Sequence, residues 1–467
     1  MAGYFQMGET KVRPGSFFNI GRSDGISTED TINGVTAVIF RSDFGPLESV
    51  VKLGSEAECE EVFGTGGTTD AVIQALGGGA QTIIACRLGH GGTKASVTLK
   101  GDDGEDAVVI SARYPGAKEF FVTVREKLSD PDVKQCVVYS GTKELETISF
   151  AAGEKEVQSL EKAMEGDSYF TLEVKKGEAV LETVSQKKME GGEDPVITTE
   201  DYSDAFAAVE PYMFNTICVD TEDTSVHMLL AAFIERIFEA GNLTQAVIAE
   251  KSDVDFETRI ARAASYNDEK MNYVLNPKAD VSGMVLDGYQ TAARIAGMIG
   301  AVSSKQSLTH AEMTEFTDVY EKLTNTEIIK AERNGCIVLT MNTKGKVWID
   351  SAINTLVHLP DNKDDGWKKI RRVKTRFELI RRCNEVTDEL VGKVDNDSDG
   401  RKTIISQLKG VGSEMIAEGK LVSFRVDESS KHPADVDSCW FAVDVVDRDS
   451  AEHIYSFLRF KFSTNAD

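Results

Sequence analysis

Two short runs, VTAVIF at 35–40 and TIIACR at 82–87, show almost no alternation of apolar and polar positions. A strand apolar on both sides needs cover on both faces, which is the situation inside a parallel sheet flanked by helices. Between the two runs lie helix-like stretches at 55–63 and 69–76, the second ended by Gly77-Gly78-Gly79. Strand, helix, helix, strand with glycine punctuation defines an α/β unit. A third buried run, PYMFNTICV at 211–219, has the same character but arrives only after a long interval of different texture.

That interval, 92–200, alternates over short segments at 95–100, 108–113, 120–125, 136–140, 144–150, 169–174 and 179–184, with charged turns such as Gly101-Asp102-Asp103-Gly104 between them. Evenly spaced short strands predict a small all-β domain inserted into the α/β unit, on its outside. After it come a helix at 226–240, a strand at 246–249, a helix at 255–264, a short strand at 273–275, and a helix within 283–302. The last holds Ala292, Ala293, Ala296, Gly297, Gly300 and Ala301, so another backbone can approach it closely. A helix at 326–334 and a strand at 336–341 follow, and this second block completes the sheet begun before the insertion. The expected division is an extended arm at 1–23, α/β parts at 24–91 and 201–345 around the insertion at 92–200, and a C-terminal domain at 346–467. The fold class is mixed α/β and α+β, multidomain, with extended strands at both ends.

The C-terminal domain concentrates the unusual features. Residues 367–390 read as one long helix, with Trp367, Ile370, Val373, Phe377, Ile380, Cys383, Val386 and Leu390 on one stripe and Gly392 beyond the end. Between them lie Lys368, Lys369, Arg371, Arg372, Lys374, Arg376, Arg381 and Arg382, against one acid, Glu378, in a chain of net charge −25. A basic cluster on an acidic protein attracts an acidic partner. A second helix at 401–418, with Asp397 or Asp399 at its start and Gly419 at its end, leads to strands at 421–427 and 439–446. The chain then ends on Leu458, Phe460 and Phe462 alternating with Arg459 and Lys461, a strand free to pair with another chain.

With 77 acidic residues against 52 basic ones, a general nucleic-acid binder is disfavoured. No apolar run is long enough to span a membrane, and the N-terminus lacks the pattern of a secretory signal. The seven cysteines are scattered without a C-x-x-C pair, the pattern of reduced thiols and not of a zinc site. Gly21-Arg22-Ser23-Asp24-Gly25 matches G-x-S-x-G but runs into a polar loop where a nucleophile elbow needs a helix. Gly64-Thr65-Gly66-Gly67-Thr68-Thr69 opens a helix without the lysine of a P-loop, and Thr69 reads as its N-cap. Asp395 to Gly400 resembles half a calcium loop, but the twelfth position is Ser406. His310-Ala311-Glu312 lacks the companion cysteines of a zinc deaminase. No catalytic, metal or cofactor residue is therefore expected.

The order of these features resembles the sheath subunit of contractile phage tails and R-type bacteriocins. The resemblance runs through Arg13-Pro14-Gly15-Ser16-Phe17-Phe18 of the arm, Phe63-Gly64, the Gly77-Gly78-Gly79 passage to Arg87, and Ala112-Arg113-Tyr114-Pro115-Gly116 at the insertion. It continues through 292–301 and 327–339, and is strongest at Ile353-Asn354-Thr355-Leu356, Trp367-Lys368-Lys369-Ile370 and the Ile-Tyr-containing last segment. It implies a subunit of stacked rings around an inner tube, contracting without nucleotide or metal to drive the tube through an envelope. It further implies strand exchange between subunits, by Ser16, Phe17, Phe18 and Ile20 at one end and Tyr455, Phe457, Leu458, Phe460 and Phe462 at the other. The tube-facing surface is assigned to Lys368, Lys369, Arg371, Arg372, Lys374 and Arg376. Implied partners are further copies of the chain, the tube protein, and baseplate and tail terminator proteins, with neither nucleic acid nor membrane insertion. The implied location is a phage tail or bacteriocin particle, made in the bacterial cytoplasm and released by lysis. The competing readings are an α/β enzyme binding a phosphorylated ligand at Gly64 to Thr69, and a non-polymerising surface or adhesion subunit.

Overall fold

The computed structural model describes residues 33–460, together with the backbone of two short strands, Gly3–Tyr4 and Phe17–Phe18, which pair in parallel. Ser16, Ile20, Phe462 and the 21–25 motif lie outside the described residues. The architecture is mixed α/β and multidomain, as expected. Contacts divide the chain into one unit of residues 32–259 and 270–301, and another of residues 1–31, 260–269 and 302–467.

In the first unit the apolar runs pair as their composition demands. The sheet runs in the order Met271–Val274, Gln245–Ala249, Thr216–Val219, Val35–Phe40, Thr82–Arg87, Val50–Leu53, parallel except for the last pair. The strand at Val50–Leu53 is too short to show as a run. The second α/β block thus completes the sheet begun before the insertion. Thr36 and Thr216 are buried side by side on adjacent strands, with hydroxyls 2.9 Å apart, and Thr216 also donates to the Ala296 carbonyl at 2.9 Å.

The small-residue helix, Gly288–Ala301, lies against Asp70–Gly77. A Cβ added to Gly297 would stand 2.0 Å from the Ala75 carbonyl oxygen, and one on Gly78 2.2 Å from that of Arg294. The two backbones touch because neither side carries a side chain there. The expected cap at Thr69 is not made: Thr69 is already helical and its side chain makes no capping bond. Its neighbour Thr68 turns inward and donates to the buried Asp220 carboxylate.

The insertion forms two antiparallel sheets. One orders Lys143–Ala151, Asp130–Ser140, Phe120–Lys127 and Val184–Lys188; the other orders Phe170–Val174, Asp106–Ala112 and Ser96–Lys100. Their inward residues, among them Leu99, Ile110, Val122, Val138 and Phe170, share one core with Val157 and Leu160 of a short helix, Glu156–Ala163. The strand expected at 179–184 begins only at Val184, and the short helix has too few apolar positions to show a period. The helix Thr199–Val209 behind the insertion was likewise not expected.

Arg87, at the end of its strand, fastens the insertion to the sheet. Its buried guanidinium donates to the carbonyls of Ser42 (2.7 Å), Gly45 (2.6 Å) and Pro115 (2.9 Å). Burial pushes its pKa down to about 10, against the charges of Asp194 and Asp43, which favour the cation. Gly116 follows Pro115 at φ 156°, and a Cβ there would fall 1.8 Å from the Asp43 carbonyl oxygen.

Replacing Gly297 by alanine therefore forces two helices apart. We expect a loss of about 1–3 kcal/mol, the usual cost of overpacking, read as a lower urea midpoint. An unchanged midpoint would mean the contact is not tight.

Candidate functional site

The second unit carries the residues singled out at the C-terminal end. The long helix is interrupted. A 3-10 turn, Asp365–Lys368, precedes a helix that begins only at Ile370, and Lys369 between them is extended at φ −105°, ψ 124°. The cause is tertiary. The 352–354 segment bridges to this point, with the Ile370 amide donating to the Ala352 carbonyl at 3.2 Å and the Asn354 amide to that of Lys368 at 3.1 Å. Helix Ile370–Asp388 then packs Leu379 against Val411 and Met415 of Ser398–Ala417 and against Phe424 and Val445 of a hairpin. That hairpin, Leu421–Glu428 with Phe441–Asp447, is a two-stranded sheet by itself. Asp397 caps the second helix as expected, accepting from the Asp399 and Gly400 amides at 3.0 and 2.8 Å.

The basic face is not free. None of Lys368, Lys369, Arg371, Arg372, Lys374 and Arg376 is exposed. Arg372 and Arg376 converge on Asp447, the last residue of the hairpin, whose carboxylate accepts from their Nε atoms at 2.8 and 2.9 Å. Arg376 also meets Asp364 at 2.9 Å and stacks over the Trp367 ring at 4.5 Å. Lys369 pairs with Asp449 at 2.7 Å and with Glu452 at 2.9 Å. Lys368 meets only the exposed Asp365, at 3.0 Å, while Lys374 donates to the Val302 carbonyl. Arg371 is buried, and its Nε has no hydrogen-bond partner among the described residues. One turn further on, Glu378 is buried and accepts from Arg382 (2.7 Å), Lys420 (3.0 Å) and Ser304 (2.5 Å). Much of the basic face assigned to an inner tube is thus engaged by acids of the chain itself. Spacing revealed the cations but not the carboxylates that fold back to meet them, although the acids of Asp447-Arg448-Asp449-Ser450-Ala451-Glu452 were a readable signal.

Beyond Glu452 the chain leaves the body. The expected last strand is not formed among the described residues, and 448–460 carry no secondary structure. Ile454, Tyr455, Phe457, Leu458 and Phe460 are 81, 85, 95, 77 and 92% exposed. Apolar side chains this bare, in a row, are uncommon on a finished surface.

The other candidate centres are closed. At the Gly64–Thr69 turn the chain supplies its own anion: a Cβ on Gly66 would meet the Asp43 carboxylate at 2.5 Å, and one on Gly64 would meet it at 2.6 Å. An incoming phosphate would find the place taken by like charge, so the phosphate-binding alternative is not supported. Asp220, buried at the end of Thr216–Val219, is saturated by Arg41 (2.7 Å), Thr68 and Tyr202 (2.7 Å). A cavity of about 210 Å³ beside Arg41 and Thr68 is lined further by Leu88, Asp194, Pro195 and Ile197. His310 stacks on Trp348 at 3.9 Å. Among the described residues no cluster of His, Cys, Asp or Glu is placed to hold a metal, and no helix is long and apolar enough to cross a membrane.

The chemically distinctive surface is thus a bare apolar arm beside a sheet that has two strands among the described residues. Residues 196–355 match the family model of the phage tail sheath protein central domain. The chain is 22% identical over 438 residues to the uncharacterized protein YqbK of Bacillus subtilis (strain 168), covering 90% of this chain and 86% of that protein. The sheath tail protein of Desulfitobacterium hafniense superposes with a TM-score of 0.72 at 19% identity, over 91% of this chain and 99% of that one. That of Listeria innocua gives 0.68 at 19% identity, over 90% and 96%. The contracted helical sheath of the anti-feeding prophage gives 0.52 at 11% identity, over 98% and 100%. The resemblance to contractile-tail sheath proteins is borne out: residues 196–355 match the sheath central-domain model, and the chain shares the fold of the solved sheath proteins.

Burial works to raise the pKa of Asp447, but the hydrogen bonds and charges of Arg372 and Arg376 prevail and hold it below the ordinary 3.8. Asp364 and Glu452 are lowered in the same way. A lowered carboxylate contributes stability that is complete above its unfolded-state pKa and is lost as pH falls through the folded one. Stability should therefore decline below about pH 4. Asp447→Asn should flatten that limb while lowering the urea midpoint at pH 7. An acid limb identical in wild type and variant would contradict the assignment.

Proposed function

We propose that this chain is the subunit of a contractile tail sheath, polymerising as stacked rings around an inner tube. The observation that carries this reading is the bare arm at 454–460 beside a hairpin whose edges are unfilled among the described residues. An extended segment adds to such an edge by main-chain hydrogen bonds, and alternate side chains then find cover. Tyr455, Phe457, Leu458, Phe460 and Phe462 of one subunit, with Ser16, Phe17, Phe18 and Ile20 of another, supply the two missing strands of a third subunit's hairpin. Links between chains made this way hold while the bodies move, so the array contracts without falling apart. The particle is a phage tail or tail-like bacteriocin, assembled in the bacterial cytoplasm and released by lysis. Its further partners are the tube, baseplate and terminator proteins.

The tube contact is made by the basic helix. Lys368, paired with an exposed aspartate, and Lys374, which donates to a carbonyl, carry it. Arg371, buried and incompletely bonded, supports them. Lys369, Arg372 and Arg376 contribute the same positive field while bound within the subunit. Contacts between charges suit a surface that must release, because water replaces them readily when they part.

Coexpression with the neighbouring tail genes, viewed by negative-stain microscopy, should give long striated cylinders, some short and wide with bare tube protruding. Deletion of 454–467 should abolish the cylinders and leave a folded subunit. Discrete particles under all conditions, or normal sheaths from the deletion, would sink this reading. Lys368→Glu with Lys374→Glu should reduce tube recovered with sheath severalfold while sheath-only polymers persist; undiminished recovery would remove the helix from the tube contact.

A further inference from the structure

We propose that Lys369, Arg372 and Arg376 clamp the root of the C-terminal arm, so that tension on residues 454–460 passes into helix Ile370–Asp388. The clamp's mechanical role rests on the sheath reading, because strand exchange is what puts the arm under tension. Its geometry is independent of that reading.

Lys369 stands just before the helix and Arg372 and Arg376 one and two turns into it, and the acids they hold are Asp447, Asp449 and Glu452. Between these anchors Arg448 is tied as well: its amide donates to the Lys420 carbonyl at 3.0 Å and its Nε to that of Leu421 at 3.0 Å. Glu452 is fastened a second time, accepting from the hydroxyls of Ser307 and Thr309 at 3.1 and 3.2 Å. Four anchored residues within 447–452 give way abruptly to the exposed apolar arm. A pull on the arm therefore meets Glu452 and Asp449 first, then the carboxylate of Asp447 gripped by two guanidiniums. Planar forks resist rotation of the carboxylate they hold, whereas the single ammonium of Lys369 lets its partners pivot. The root is thus stiff at Asp447 and compliant at Asp449 and Glu452. This is an assignment for Lys369, Arg372 and Arg376 distinct from contact with a tube.

Trypsin on the free subunit reads the clamp directly. Arg459 lies in the bare arm and should be cut quickly in every variant. The bond after Arg448 should be slow in the wild type. Arg372→Gln with Arg376→Gln, and separately Lys369→Gln, should speed that cut about tenfold or more, the effect of losing a charged hydrogen bond. Lys369→Glu alone should do the same, and adding Glu452→Lys should restore protection, which also controls for misfolding. Unchanged cleavage after Arg448 in variants with a wild-type urea midpoint would overturn the clamp. In coexpressed particles the same variants should give short or fractured sheaths. Sheaths that extend and contract normally despite fast cleavage would overturn the transmission of tension. A wild-type chain that forms no sheath fails the functional proposal instead, and with it the role of the clamp under tension, while the cleavage result still decides whether the clamp exists.

Discussion

The carboxylate of Asp447, held between Arg372 and Arg376, is the contact on which the C-terminal unit turns. It joins the last residue of the hairpin to the helix that the hairpin covers. Removing three charges from water is costly, and a pair of this kind adds little net stability over an apolar substitute. What it adds is definition. Two planar forks on one carboxylate allow one arrangement, so the strand ends at a fixed place and the arm departs from a fixed point. The Glu378 cluster one turn away, with Lys420 and Arg382 buried around it, repeats the device where the hairpin begins.

The same logic of backbone satisfaction governs the first unit. Arg87 donates to peptide carbonyls, and so ties the loop after Val35–Phe40 to the Pro115 turn within the β-rich insertion. Close approach does the rest. Gly116 over Asp43, and Gly297 against Ala75, are points where main chains meet with nothing between them. A platform built on such contacts holds its geometry.

The open hairpin stands against this completeness. A two-stranded sheet is marginal alone and carries unpaired edges that natural proteins protect or use. Here the segment that follows it is apolar, extended and bare.

The amino-acid sequence by itself determined the parallel sheet, the interrupting β-rich insertion, the small-residue helix and the sheath-like order of elements, because each rests on periodicity or composition along a local stretch. It also marked the exposed residues of the arm, through the alternation around Leu458 and Phe460. Only the tertiary structure decided the break at Lys369, which depends on pairing with 352–354, and the filling of the Gly64–Thr69 turn by Asp43. It alone decided the fate of the basic helix. Spacing counts charges on a helix face, but whether those charges meet water, a partner or the chain's own acids depends on residues some seventy positions away. Asp447, Asp449 and Glu452 reach Arg372, Arg376 and Lys369 only because the hairpin brings the chain back across the helix.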